Sequence, residues 1–215
     1  MIRLTLLLCV LFSSAIYSKV SSVESILKKT LLSKSDISNL KVLIKDDPKK
    51  NVPVLFSVMK DDKMPEQSRW LATILIGKTL GKRSIDYLAK YTVHPEVILR
   101  LASLKSLLSL EAEKKADIFE KALFDKSLLV RKQALEAVRK LKIEKAESSL
   151  LSMLVDKKNY YLKNKKLKRS PIIKDIIQTI GELRLKKSKN ILISLRKKDS
   201  YQDLYPVLDF AISRM

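Results

Sequence analysis

Three consecutive blocks of the chain, 64–94, 95–125 and 126–156, carry an arginine at the same place, Arg69, Arg100 and Arg131, and close on His94, Asp125 and Asp156. A period of 31 residues with matched landmarks is the mark of a repeat array, because a unit this short cannot bury its apolar face alone and must stack on its neighbours. Such an array builds a long surface in place of an enclosed pocket, so the expectation is a protein that holds other molecules without transforming them.

The local pattern is helical. Apolar residues recur at three- and four-residue spacings, the chain holds only 3 glycines, and no run reads convincingly as a strand. In block 126–156, Val130, Ala134, Leu135, Ala137, Val138 and Leu141 form one apolar stripe, and Leu150, Leu151, Leu154 and Val155 form another. Two amphipathic helices joined near Ile143 account for both. Superposing the blocks matches Ala72, Ser103 and Ala134; Ile76, Leu107 and Val138; Leu88, Phe119 and Leu150; and Val93, Phe124 and Val155. All four rows are expected to pack between neighbouring helices.

A fourth copy follows in which Lys174 takes the arginine place and Asp199 the aspartate place, each 43 residues on, so 12 residues are inserted around Lys157 to Ser170. Pro171 is expected to open the next helix, and Tyr201 to Met215 to cap the stack. Before residue 64 the period blurs into one degenerate helix pair. Ser21 and Glu24 have capping-box spacing ahead of a short first helix.

Residues 125–141, DKSLLVRKQALEAVRKL, followed by 146–156, AESSLLSMLVD, resemble the HEAT-like repeat family, specifically the short bacterial repeats related to bilin lyases. The likeness covers 64–215 and implies an all-α fold: an α-solenoid of four to five helix pairs in a right-handed superhelical stack. It also implies that Arg69, Arg100, Asp125, Arg131 and Asp156 form a structural ladder that ties the turn of one repeat to the start of the next helix, and the residues read alike: the Asp125 carboxylate can cap the helix start and pair with Arg131, six residues on. Bilin lyase activity is not expected, because apparent export and strong positive charge do not suit a cytosolic pigment-attaching enzyme.

Export is expected from residues 1–18, where Arg3 precedes an apolar run from Leu4 to Tyr17 and cleavage falls near Ala15 to Ser18. Residues 19–63 would then hold capping helices and the degenerate repeat, and the mature protein would reside in a bacterial periplasm. The lone cysteine, Cys9, would be lost, leaving no thiol for disulfide or metal chemistry. The 44 Lys and Arg against 23 Asp and Glu give a net charge of +21, or +20 without Arg3. Such a surface favours acidic partners. An acidic protein or envelope complex leads; anionic lipid or polysaccharide is the alternative, with nucleic acid third because of the export signal.

Signatures of catalysis are scarce. His94 is the sole histidine and occupies a turn place that holds aspartate in the next two blocks, so it reads as a capping residue. No phosphate-binding glycine loop is present, the paired acids at Asp46-Asp47, Asp61-Asp62 and Glu111/Glu113 lie in lysine-rich stretches at helix ends, and neither cofactor, metal nor small-molecule substrate is expected. The candidate binding site is the insertion. Lys157, Lys158, Lys163, Lys165, Lys166, Lys168 and Arg169 are basic there, with Tyr160 and Tyr161 offering flat amphipathic surface among them. Lys186, Lys187 and Lys189 are expected to extend it into the fourth pair as one basic groove.

Overall fold

A computed structural model describes residues 22–163 and 166–215; the expected signal segment, Cys9 and Ser21 lie outside the described residues. The protein is mainly α-helical and divides into two compact units, Met1–Ala72 and Thr73–Met215, with the division inside a helix.

In the first unit, α1 (Val23–Leu27), α2 (Lys34–Asp46) and α3 (Pro48–Lys60) bury Ile26, Leu27, Leu40, Leu55 and Met59. Their ends are set by side-chain caps. The α1 cap is Ser22, which accepts from the Ser25 N–H, one residue later than the sequence spacing indicated. Ser33 and Asp36 form a reciprocal capping box on α2. Asp47 ends α2 and caps α3 at the Lys50 N–H, with Pro48 filling the first helical position, where a missing N–H costs nothing.

α4 (Glu66–Leu80) contains the division between the units. Beyond it, the second unit is built from pairs that share one joint: α5 (Ile85–Tyr91), α6 (Val97–Ser109) with α7 (Ala116–Ala122), α8 (Leu128–Lys140) with α9 (Glu147–Val155), α10 (Ile172–Glu182) with α11 (Lys189–Arg196), and a final α12 (Tyr205–Ser213). After α6, α8 and α10 the chain passes through a left-handed residue, Glu111 (φ 51°), Lys142 (φ 51°) and Arg184 (φ 54°). The following N–H then reaches back to the same carbonyl each time: Ala112 to Leu107, Ile143 to Val138 and Leu185 to Ile180, at 2.9–3.1 Å. This is the Schellman closure, which satisfies carbonyls the helix end would otherwise orphan. A short 3₁₀ turn then leads into the second helix.

Three of the four matched rows are buried: Ala72, Ser103 and Ala134, then Ile76, Leu107 and Val138, then Leu88, Phe119 and Leu150 are each 0% exposed. In the fourth row Phe124 packs against the core, but the other two members depart from the expectation. Val93 is 78% and Val155 77% exposed, because both sit at or beyond the end of the second helix, on the edge where the chain turns into the next pair. The fourth copy departs as well: its joint places Arg184 with Lys142 and Ile180 with Val138, an offset of 42 residues and not 43, so the buried arginine place falls on buried Ile173, and Lys174 beside it is exposed.

The insertion is not a loop. It forms an antiparallel hairpin, β1 (Tyr160–Lys163) and β2 (Lys166–Arg169), in the register Tyr160 with Arg169, Tyr161 with Lys168, Leu162 with Leu167 and Lys163 with Lys166. Its apolar alternation is too short and too broken by lysine to register as a strand in sequence. The contacts at its base explain why it forms.

Candidate docking site along the turn edge

The geometry of this edge is set by two buried arginines. From α6, Arg100 donates through Nη1 to the carbonyls of His94 (2.9 Å) and Pro95 (2.8 Å), and through Nε and Nη2 to both carboxylate oxygens of Asp125, each at 2.8 Å. From α8, Arg131 repeats the arrangement, with Nη1 on the carbonyls of Asp125 (2.9 Å) and Lys126 (3.1 Å), Nη2 on the Lys158 carbonyl and Nε on the Asn159 side chain, both at 2.9 Å. Each guanidinium therefore ties the turn at its own helix start to the next turn along. Arg69 donates through Nε to the Met59 carbonyl within the first unit.

The ladder differs in register from the sequence expectation. Asp125 pairs with Arg100, the arginine before it, and not with Arg131, whose donors are taken by the Asp125, Lys126 and Lys158 carbonyls and the Asn159 side chain. Asp156 accepts from the Lys158 N–H, and the side chain that meets Arg131 is Asn159, three residues on. Asn159 was invisible to sequence reading, since it falls inside the insertion. All three block-ending residues nevertheless cap alike: Asp125 accepts from Ser127, Asp156 from Lys158, and His94, through Nδ1, from the Glu96 N–H. Burial alone would raise the Asp125 carboxyl, but the Arg100 hydrogen bonds and the Ser127 N–H outweigh it and hold the group below the ordinary aspartate value.

The same frame seats the hairpin. Asn159 is fully buried, donates to the Met153 carbonyl at 2.8 Å, and its own carbonyl accepts from Ser170 across the hairpin base at 2.8 Å. Tyr160 donates its hydroxyl to the Leu154 carbonyl. Arg169 lies over the Tyr201 ring, 4.4 Å from its centroid, and pairs with Asp203. Burial, reinforced by a hydrogen bond with Tyr201, pushes the Tyr160 phenol above its usual range, so it stays neutral.

Several residues expected to bind are thus engaged in holding the hairpin: Tyr160, Arg169, and Lys158, whose ammonium donates to the Phe124 carbonyl at 2.9 Å just beyond the end of α7. Lys157, Tyr161, Lys163 and Lys168 are exposed. Lys166 is in β2, and Lys165 lies outside the described residues.

Lys186, Lys187 and Lys189 are not part of the hairpin surface. They lie on the joint between α10 and α11, where Ser188 donates through N–H and hydroxyl to Glu147 at 2.8 Å. Glu147 starts α9 and the hairpin follows its end, about 12 Å away at 1.5 Å per helical residue. The two sets of lysines thus lie toward opposite ends of α9.

Two open clefts occupy the turn edge. One, of about 480 Å³, is lined by Thr92, Val93, Ile118 and Ala122 with Lys121 and Lys126; Arg100 and Asp125 also border it. The other, of about 590 Å³, is lined by Val155, Lys157, Tyr160, Tyr161 and Leu162, with Leu162 73% exposed. Among the described residues no group of His, Cys, Asp and Glu is arranged to hold a metal ion, and no helix is long and apolar enough to cross a membrane. No protein-family model matches the chain, and no curated protein is similar to it.

Proposed function

We propose that this protein is an exported, non-enzymatic scaffold: a HEAT-like α-solenoid, stacked with a right-handed turn, that uses a basic surface to hold an acidic protein or envelope complex. The observation that carries the reading is the hairpin. Its base is locked by Asn159, Arg131, Tyr160 and Arg169, while Lys157, Lys163, Lys168 and Tyr161 are left at the surface. A backbone held at its base presents these cations and the aromatic ring together, so their attraction is not spent on ordering the hairpin itself. The solenoid reading is supported by the recurring Schellman joint and by the matched arginine frames of Arg100 and Arg131.

Crosslinked pull-down from native cell envelopes tests this, comparing the wild type with a variant carrying Lys157→Glu, Lys163→Glu and Lys168→Glu. One acidic envelope protein lost specifically in the variant is the expected result, and an unchanged partner set overturns the assignment to the hairpin. N-terminal sequencing of the native protein tests export, with the mature chain beginning just after a cut near Ala15 to Ser18.

A second reading, electrostatic binding of an anionic polymer or membrane surface, draws on the exposed Val155 and Leu162 beside lysines. Nucleic acid enters only if the protein is not exported, and it would bind with a steep salt dependence and little sequence preference.

A further inference from the structure

We infer that the turn edge is a two-seat dock for one extended acidic peptide segment, whose large apolar side chains occupy the two clefts while its carboxylates meet the lysines between and around them. This rests on the scaffold reading above and specifies the partner's chemistry.

The clefts occupy corresponding places. Val93 and Val155, one from each lining, stand 62 residues apart, twice the period. Arg100 joins the turn at His94 to Asp125, and Arg131 joins the turn at Asp125 to Lys158, so the clefts lie on one line of hydrogen-bonded turns, two steps apart. At about 10 Å per packed helix pair the separation is roughly 20 Å, which an extended chain covers in about six residues. Between the seats, Leu129 at the start of α8 is 60% exposed.

Shape and charge together select the occupant. Buried Thr92 and Ala122 floor one cleft and half-buried Tyr160 the other, with exposed Val93, Val155 and Leu162 at their rims, so each takes a single large side chain between floor and rim, which a flat lipid surface does not supply. Lys121, Lys126, Lys157 and Lys163 are all exposed around them. An apolar segment without acids would leave that charge uncompensated, and an acidic one without apolar residues would leave the clefts to water.

The test is selection of a random dodecapeptide display library on the purified protein, followed by titration of the selected peptides against variants. Enrichment of sequences with two aromatic or large aliphatic residues about six positions apart, and acids between them, is expected. Val93→Ser and Leu162→Ser alter exposed positions without changing charge, so both variants should keep the wild-type circular dichroism. Each should weaken binding by about tenfold, and the pair by about a hundredfold, as two seats on one ligand require.

If charge reversal at Lys126, Lys157 and Lys163 abolishes peptide binding while both cleft variants bind normally, the dock is purely electrostatic: the inference falls and the scaffold reading stands. If no such peptide is enriched and phosphatidylglycerol vesicles bind in a Leu162-dependent way, the clefts face lipid and the inference is overturned. If neither the reversals nor the cleft variants affect any ligand, both readings fail.

Discussion

Asp125 and Asp156 occupy the same place in consecutive blocks, yet they answer for different amounts of stability. Asp125 neutralises a buried guanidinium through two hydrogen bonds, and removing it leaves Arg100 charged and unpaired out of water. Asp125→Ala should therefore cost about 3 kcal/mol or more. Asp156 is hydrogen-bonded to a turn N–H, so Asp156→Ala should cost about 1 kcal/mol. Asn159→Ala, which strips partners from Arg131 and from the Met153 carbonyl, should cost about 2 kcal/mol. Urea titration of the three variants ranks them, and the expectation fails if Asp156→Ala proves the most damaging. Asp125 also sets an acid response. Its folded pKa lies below the ordinary 3.8, so its contribution is complete above that pH and is lost as pH falls through the lower folded value. Urea midpoints measured from pH 5 down to pH 2 should fall more steeply below about pH 4 for wild type than for Asp125→Asn.

At the scale of the helix pair, the joints are closed by the wrong residue type. Glu111, Lys142 and Arg184 adopt a left-handed conformation that glycine takes without steric cost. Lys142→Gly should raise stability by roughly 0.5–1 kcal/mol, an increase in midpoint temperature that calorimetry can read, and a decrease would mean that the Lys142 side chain supports the joint in another way. Gly181 is the opposite case. By the register of the joints it stands where the two preceding pairs carry Leu108 and Arg139, and a Cβ there would come within 2.6 Å of the Ala211 Cα on α12. The glycine is what allows α12 to lie against α10. Gly181→Ala should lower stability by about 2 kcal/mol or more, and a neutral outcome in the same calorimetric assay would show that α12 gives way easily. The hairpin belongs to this scale too: a few alternating residues in a lysine-rich run carry little strand signal, and their conformation comes from being held at both ends, at Asn159 to Ser170 and at Arg169 to Tyr201.

For the whole chain, a net charge of +21 is a standing cost, because like charges are brought together on folding. Moderate salt should relieve it. The thermal midpoint should rise by a few degrees between low and physiological ionic strength, where the Debye length shrinks to about 8 Å. A falling midpoint would mean that local pairs such as Lys115 with Asp86 and Arg196 with Asp209 outweigh the global repulsion. Peptide or protein binding at the turn edge should move the other way and weaken with salt, as the attraction exerted by Lys126, Lys157 and Lys163 is screened.

Helix content, the pairs from α6 onward and the matched places of Arg100 and Arg131 were all legible in the chain, because each rests on short-range periodicity: apolar spacing selects a helix, and a fixed 31-residue repeat returns the same residue to the same environment. What the chain did not disclose depends on how distant residues meet. Which arginine Asp125 would pair with, that Asn159 would stand in for Asp156, and that Lys186, Lys187 and Lys189 would lie at the opposite end of α9 from the hairpin were decided by the arrangement of turns and helix ends in space. Val93 and Val155 make the distinction plainest. Hydrophobicity marked them for the core, but a side chain at a helix end is buried only if another element reaches it; at these two places the fold leaves open clefts instead.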